Sequence, residues 1–295
     1  MSGRTALRTI ALLLPLAAAG AEPLSFYYVT TIYRDAKDVA LRSPEGVACT
    51  STSLVVADTG NRRLLTFALT ESGAITQTGE AKLAELTSPV RLQLDSKGHL
   101  LALDGKSHRI VRVDASGGFG GFVEMKGAAH APVLVGFKLD AADNVYALDV
   151  GSERVLVADP GGNVSRTLEL PRGPMMSDIA VDSGGTVYAV DGVGATVWSA
   201  AKGATRFTQI GKSLKDSMSF PSYALAYQGK LVLVDQHGMG LALLGLDGSY
   251  LGRQLAIGWS DGSVYYPAQL CINERGGAFI ADRGNNRVQQ FTTAR

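Results

Sequence analysis

Cysteine is nearly absent from this sequence: 295 residues carry two, Cys49 and Cys271. They form no C-x-x-C pair, which excludes a dithiol redox motif and the paired-cysteine zinc sites. Charge is sparse, at 19% of residues with a formal net charge of +1. Positive charge is nowhere concentrated. The densest stretch, Lys202, Arg206, Lys212 and Lys215, is broken by apolar and polar residues and reads as a solvated loop. Contact with a phosphate backbone needs a compact basic footprint, so nucleic acid is not an expected partner. Long apolar runs are missing except for Ile10 to Ala19, which is too short to cross a bilayer. Helical periodicity is missing as well, and with it any α-solenoid. There is no serine-nucleophile elbow, phosphate loop or H-E-x-x-H. By motif, the sequence offers no catalytic residue, no metal set and no cofactor.

What is present begins with the N-terminus. Residues 1–21, MSGRTALRTIALLLPLAAAGA, place Arg4 and Arg8 ahead of the short apolar run and end in Ala19-Gly20-Ala21. That order is the one a secretory signal needs; an uncleaved anchor is the alternative. Either way the folded part, residues 22–295, is expected outside the cytoplasm, periplasmic or secreted, with no membrane span once the signal is removed. Cleavage takes away two basic residues and no acid, leaving a net charge of −1.

The rest of the chain repeats. Six second strands read LVVAD, LLALD, VYALD, VYAVD, LVLVD and AFIAD, ending at Asp58, Asp104, Asp149, Asp191, Asp235 and Asp282. The spacings are 46, 45, 42, 44 and 47 residues, and Pro44, Pro89, Pro132, Pro174, Pro221 and Pro267 stand one ahead of each. A period near 45 with three or four short strands is the length of a propeller blade. Strands apolar at nearly every position are covered on both faces, as blades packed between two neighbours would be.

Two of the repeats, PEGVACTSTSLVVADTGNRRLLTF and PAQLCINERGGAFIADRGNNRVQQF, resemble NHL repeats. The resemblance covers roughly residues 26–295 and implies an all-β fold, a six-bladed β-propeller with four-stranded blades forming one domain. The last repeat has only three strands, while an orphan strand, Phe26 to Tyr33, precedes the first. The expected solution is closure by the N-terminal strand pairing into the last blade, which removes exposed sheet edges. As to activity, NHL propellers include scaffolds, sensor domains and metal-dependent lyases, so fold alone does not choose.

Within this architecture each repeat Asp is expected to cap the turn after the second strand by accepting backbone N–H bonds. An Arg five residues later is placed to pair with it: Arg63, Arg109, Arg154 and Arg287 hold that place. Thr196 and Gly240 hold it in the fourth and fifth repeats, which are expected to lack the pairing. Cys49 and Cys271 lie on first strands of the first and last blades at opposite parity, which suits an inter-blade disulfide in an oxidising compartment. Two buried free thiols are the alternative.

Aligned on the aspartates, Gly46, Arg91, Gly136, Asp178, Tyr223 and Gln269 share one position at the channel end of the first strands. Arg91, Asp178, Tyr223 and Gln269 are therefore candidates to line a ligand site there, or simply to seal the mouth. Loops on the same face add Met175, Met176, Met218, His237, Met239, Tyr265 and Tyr266, a soft and aromatic set suited to an adaptable pocket. These residues point to a binding scaffold for a peptide, protein or small ligand. The family resemblance also admits a metal-dependent lyase or lactonase at the axial channel. A zinc ring is not evident, since His99 and His108 read as turn residues and leave only His130 and His237 on this face. For a harder cation, Glu45, Asp178 and Gln269 are the available oxygen donors. For Cu(I), His237 and the methionines would be the ligands.

Overall fold

Covering both faces of a strand requires two neighbours, and the chain supplies them by arranging six sheets in a ring. The computed structural model describes residues 24–294, so the expected signal at 1–21 lies outside the described residues. Six four-stranded antiparallel sheets form the blades. Their first strands are Gly46–Cys49, Pro89–Leu94, Leu134–Leu139, Met176–Val181, Pro221–Tyr227 and Pro267–Ile272. Each first strand contacts that of the next blade, and the sixth contacts the first, so they surround the axis.

The second strands are buried from end to end, as in Leu100–Asp104 and Val145–Asp149. Six apolar clusters lie one in each gap between adjacent blades. In the second gap, for example, Leu101, Leu103 and Ile110 of blade 2 pack with Phe137, Val145 and Ala147 of blade 3. Each fully buried Leu, Ile or Val contributes about 1.5–3 kcal/mol to holding two blades together.

The ring closes through its N-terminal strand. Ser25–Ile32 pairs antiparallel with Arg287–Ala294 and becomes the outermost strand of blade 6. Phe26 meets Phe291 edge to face at 6.5 Å. On the inside of the same junction Cys49 and Cys271 are bonded, with Cα atoms 6.0 Å apart and a separation of 222 positions in sequence. Constraint of so long a loop in the unfolded chain is worth on the order of 5 kcal/mol by the chain-entropy argument.

The repeat aspartates tie each blade's lead-in loop to its turn. Asp58 accepts from the Arg42 N–H at 2.7 Å, Asp149 from the Val133 N–H at 2.9 Å and Asp282 from the Tyr265 N–H at 2.7 Å. Burial pushes the Asp282 carboxyl above its ordinary range despite the Tyr265 N–H and the Arg287 guanidinium. Arg63, Arg154 and Arg287 donate to their aspartates at 2.8, 3.0 and 2.7 Å.

Two expectations about these pairs are corrected. Arg109 does not pair with Asp104; it turns outward to Glu124 at 2.6 Å and lies over the Phe122 ring. Asp104 is satisfied instead by the Ser88 and Ser107 backbone N–H groups, which hold its carboxyl below the usual range against the opposing effect of burial. Blade 5 has not lost its pairing. Arg253, from the outermost strand, reaches Asp235 at 2.8 Å. The space is free because position 240 is Gly, where a Cβ would stand 3.0 Å from the guanidinium.

In all six turns the residue four after the Asp is left-handed: Arg62, His108, Glu153, Ala195, Met239 and Asn286, with φ between 48° and 56°. Among these types Asn adopts that conformation most readily. Met239 and His108 are thus turn residues by backbone position.

Candidate functional site

The aligned first-strand residues come together at the axis. Gly46, Arg91, Gly136, Asp178 and Tyr223 each stand opposite the residue preceding a turn aspartate. Gln269 occupies the same place between two paired positions of blade 6. Their side chains stitch inner strands to one another rather than lining an open tube. Gln269 passes over Gly46 and bonds both the N–H and the C=O of Leu92 in blade 2, at 3.1 and 2.8 Å. Asp178 leans into the space left by Gly136. Its Oδ2 accepts from Lys138 Nζ at 2.8 Å and from the Ala224 N–H at 3.0 Å. Lys138 Nζ also sits 3.4 Å from the centre of the Tyr223 ring, a cation–π contact strengthened by burial. Arg91 crosses from blade 2 to the far side, donating to Ser222 O at 2.9 Å and Ala268 O at 3.5 Å. Asp178, Tyr223 and Gln269 are almost wholly buried, and Arg91 is half-buried. The two glycines are the small partners that let longer side chains reach across.

Above this plug, on the face of the lead-in loops, rings are in contact from blade 5 to blade 6. Phe220 stacks on His237 with centroids 4.9 Å apart, and His237 meets Tyr266 edge-on at 5.9 Å. Tyr266 touches Tyr265 at 4.8 Å, and Tyr265 touches Trp259 at 5.6 Å. Trp259 is 73% exposed and His237 is exposed. Beside Tyr266 lies a depression of about 360 Å³ lined by Ser43, Arg283, Gly284 and Asn286. Phe220 and Tyr266 hold equivalent positions, each immediately before the blade's proline, so two adjacent blades present rings at the same height.

The methionines divide. Met175 is 63% exposed and Met239 is half-buried in its turn. Met176 and Met218 instead pack into the cores between blades 3 and 4 and between blades 4 and 5. Their side chains turn inward from the face on which the repeat arithmetic places their backbone. Residues that sequence reasoning did not single out are Phe220, Trp259, Lys138 and Ser222. Phe220 was within reach as the counterpart of Tyr266. Lys138 was too, since it follows Gly136 by two and so shares its side of the strand.

The oxygen donors of a channel cation do not fit such an ion as they stand. Glu45 is ion-paired with Arg283 at 3.3 Å, Asp178 is held by Lys138, and both ends of the Gln269 amide are spent on Leu92. Among the described residues no three His, Cys, Asp or Glu side chains gather at metal-binding distance.

The family model of the NHL repeat matches residues 256–291, within the last blade and its lead-in loop. No curated protein matches the sequence. Among solved structures, a virginiamycin B lyase from Staphylococcus aureus superposes with a TM-score of 0.60 at 14% identity, covering 92% of this chain and 99% of that one. A gluconolactonase from Xanthomonas campestris superposes at 0.64 and 15% identity, covering 94% and 99%. A chain of a nidogen/laminin complex superposes at 0.57 and 15% identity, covering 78% and 92%. At such identities the likeness is one of fold.

Proposed function

We propose that this six-bladed NHL-type propeller is an extracytoplasmic binding scaffold, holding a peptide, protein or small ligand on the lead-in face of blades 5 and 6. The observation that carries the reading is the connected series Phe220, His237, Tyr266, Tyr265 and Trp259, in which His237 and Trp259 are exposed and the other three rings half-buried. Tyr and Trp present large contact areas with few rotatable bonds, so they bind at low cost in side-chain entropy. Contiguous apolar and aromatic groups reaching the surface are a common mark of binding sites. Each of these rings sits on a loop anchored by a turn aspartate to a rigid blade, the arrangement in which loops carry function. The Cys49–Cys271 bond and the secretory pattern of residues 1–21 support a place outside the cytoplasm.

The alternative is a metal-dependent lyase or lactonase at the axis, the activities named for two of the structural neighbours. It requires Asp178 to be released from Lys138 and Glu45 from Arg283. Metal analysis of purified protein, run beside ligand screening of the wild type and of Trp259→Ala with Tyr266→Ala, separates the two. The scaffold reading expects hits that the double variant loses and no stoichiometric ion. A tightly bound ion at one per chain, with hits indifferent to the double variant, would overturn it.

A further inference from the structure

Where the aromatic series meets blade 1 it borders a depression whose hydrogen-bonding groups are largely unspent. The depression, of about 360 Å³, is lined by Ser43, Tyr266, Arg283, Gly284 and Asn286. Small-ligand pockets run from about 300 to 1,000 Å³. None of these residues belongs to the axial set. Its link to the rings is one of contact: Tyr266 lines it and also touches His237 and Tyr265. Tyr265 in turn packs so closely over Gly284 that a Cβ there would stand 2.6 Å from its ring.

Ser43 and Tyr266 hold the same place in neighbouring blades, immediately before Pro44 and Pro267. Both have left-handed backbones, with φ of 44° and 49°, a conformation uncommon for a bulky residue such as tyrosine. The other non-glycine residues before a blade proline, Ser88, Ala131 and Phe220, do not adopt it. The depression is therefore a feature of the junction between blades 6 and 1, not of the repeat. Backbone held in such states gathers at ligand sites.

The lining groups are within a ligand's reach, since Arg283 and Asn286 are exposed and Ser43 and Tyr266 half-buried. Asn286 Oδ1 accepts the Ser43 N–H at 2.7 Å, which leaves the amide nitrogen as a free donor. Arg283 meets Glu45 through Nε at 3.3 Å, which leaves its two terminal nitrogens. The Ser43 and Tyr266 hydroxyls make no hydrogen bond to the described residues.

Three properties select the ligand. Glu45 balances the Arg283 charge and no other cation or carboxylate lines the depression, so a charged ligand finds no net opposite charge. No aliphatic side chain lines it either, so it lacks the apolar pocket that buries the anchor residue of a peptide. What it offers is one tyrosine ring, several N–H donors and two hydroxyls that both donate and accept. A sugar ring has the complementary plan, with C–H groups on one face and hydroxyls that donate and accept around its rim.

We infer that this depression binds one unit of a neutral oligosaccharide, its C–H face on Tyr266 and its hydroxyls on Asn286, Arg283 and Ser43, with the next units lying along Tyr265 and Trp259. The inference rests on the proposed binding reading and adds the ligand's chemical class to it.

The test screens the labelled full chain against arrayed neutral oligosaccharides of glucose, mannose, galactose and N-acetylglucosamine, beside uronic-acid and sulfated counterparts. Saturable binding of a neutral oligosaccharide is expected, with no gain from added acid groups. Calorimetry with the best-bound oligosaccharide then reads the variants. Asn286→Asp keeps the oxygen that accepts from Ser43 and tolerates the left-handed turn, but removes the amide donor; Tyr266→Phe keeps the ring and removes the hydroxyl. Each should weaken binding about three- to tenfold, the scale of one hydrogen bond. Tyr266→Ala should weaken it more than about tenfold. Trp259→Ala should weaken binding of the long oligosaccharide and leave that of its disaccharide unchanged.

Failure of every neutral oligosaccharide to bind, or a preference for the acidic counterparts, overturns the inference. If screening hits of other chemistry are then lost in the Trp259 and Tyr266 double variant, the binding reading itself stands. Sugar binding indifferent to Asn286→Asp, Tyr266→Phe and Tyr266→Ala overturns the placement on this face, and the binding reading with it.

Discussion

Two rings of side chains stand at neighbouring levels of the same repeat, and they are built on opposite plans. The turn aspartates are six copies of one residue, each buried and each fastening its own blade's lead-in loop to its own turn. The axial residues, one register step away, are Gly, Arg, Gly, Asp, Tyr and Gln, and they fasten different blades to one another. A blade is the same problem six times, so one solution recurs. The axis occurs once, and six positions must share it, so large side chains are set against small ones. The contiguous rings Phe220, His237, Tyr266, Tyr265 and Trp259 arise where blades 5 and 6 depart from the repeat.

The largest expected effect removes the circle on which both rings depend. Deleting residues 24–33 strips the outer strand from blade 6 and exposes the edge of Arg287–Ala294; cooperative unfolding followed by circular dichroism should be lost or shifted far downward. Unchanged thermal stability would show that closure is dispensable.

Next in size is the turn ring. Asp282→Ala leaves Arg287, only 1% exposed, without its buried carboxylate partner, and denaturant unfolding should record a loss of about 3–5 kcal/mol. Loss of less than about 1 kcal/mol, the level of an exposed ion pair, would mean that the turn aspartates do not hold the blades.

The axial ring should respond more weakly and to added volume. At Gly136 an added Cβ would run into Asp178 Oδ1, and at Gly46 it would come within 2.9 Å of the Leu92 side chain. Alanine at either position is expected to cost about 1–3 kcal/mol by overpacking. A neutral outcome at both would remove the size-complementarity account of the plug.

The blades were legible because periodicity, turn aspartates and prolines all point to one unit, and the orphan strand Phe26–Tyr33 has one natural place to go. The axial ring was legible as an alignment, and the structure keeps that register residue by residue. What the alignment could not carry was reach. Arg253 replaces a turn arginine from a strand away because Gly240 gives it room, while Arg109 occupies the right position and points elsewhere. Met176 and Met218 were assigned to a face by their loops, yet the side chain, not the loop, decides which side of the blade is filled. Long flexible side chains are where position in a repeat and position in space part company.

The central claim is that ligand is held on the lead-in face of blades 5 and 6, above the axial plug. Chemical-shift mapping of isotope-labelled protein titrated with a hit from the ligand screen tests it most directly. The account predicts that the Trp259 indole N–H, the His237 ring and the backbone amides around Tyr266 and Ser222 shift together and saturably. It also predicts that the turns between first and second strands on the opposite face, such as Asp95–His99 and Asp140–Asn144, stay still. Shifts confined to those opposite turns would contradict it.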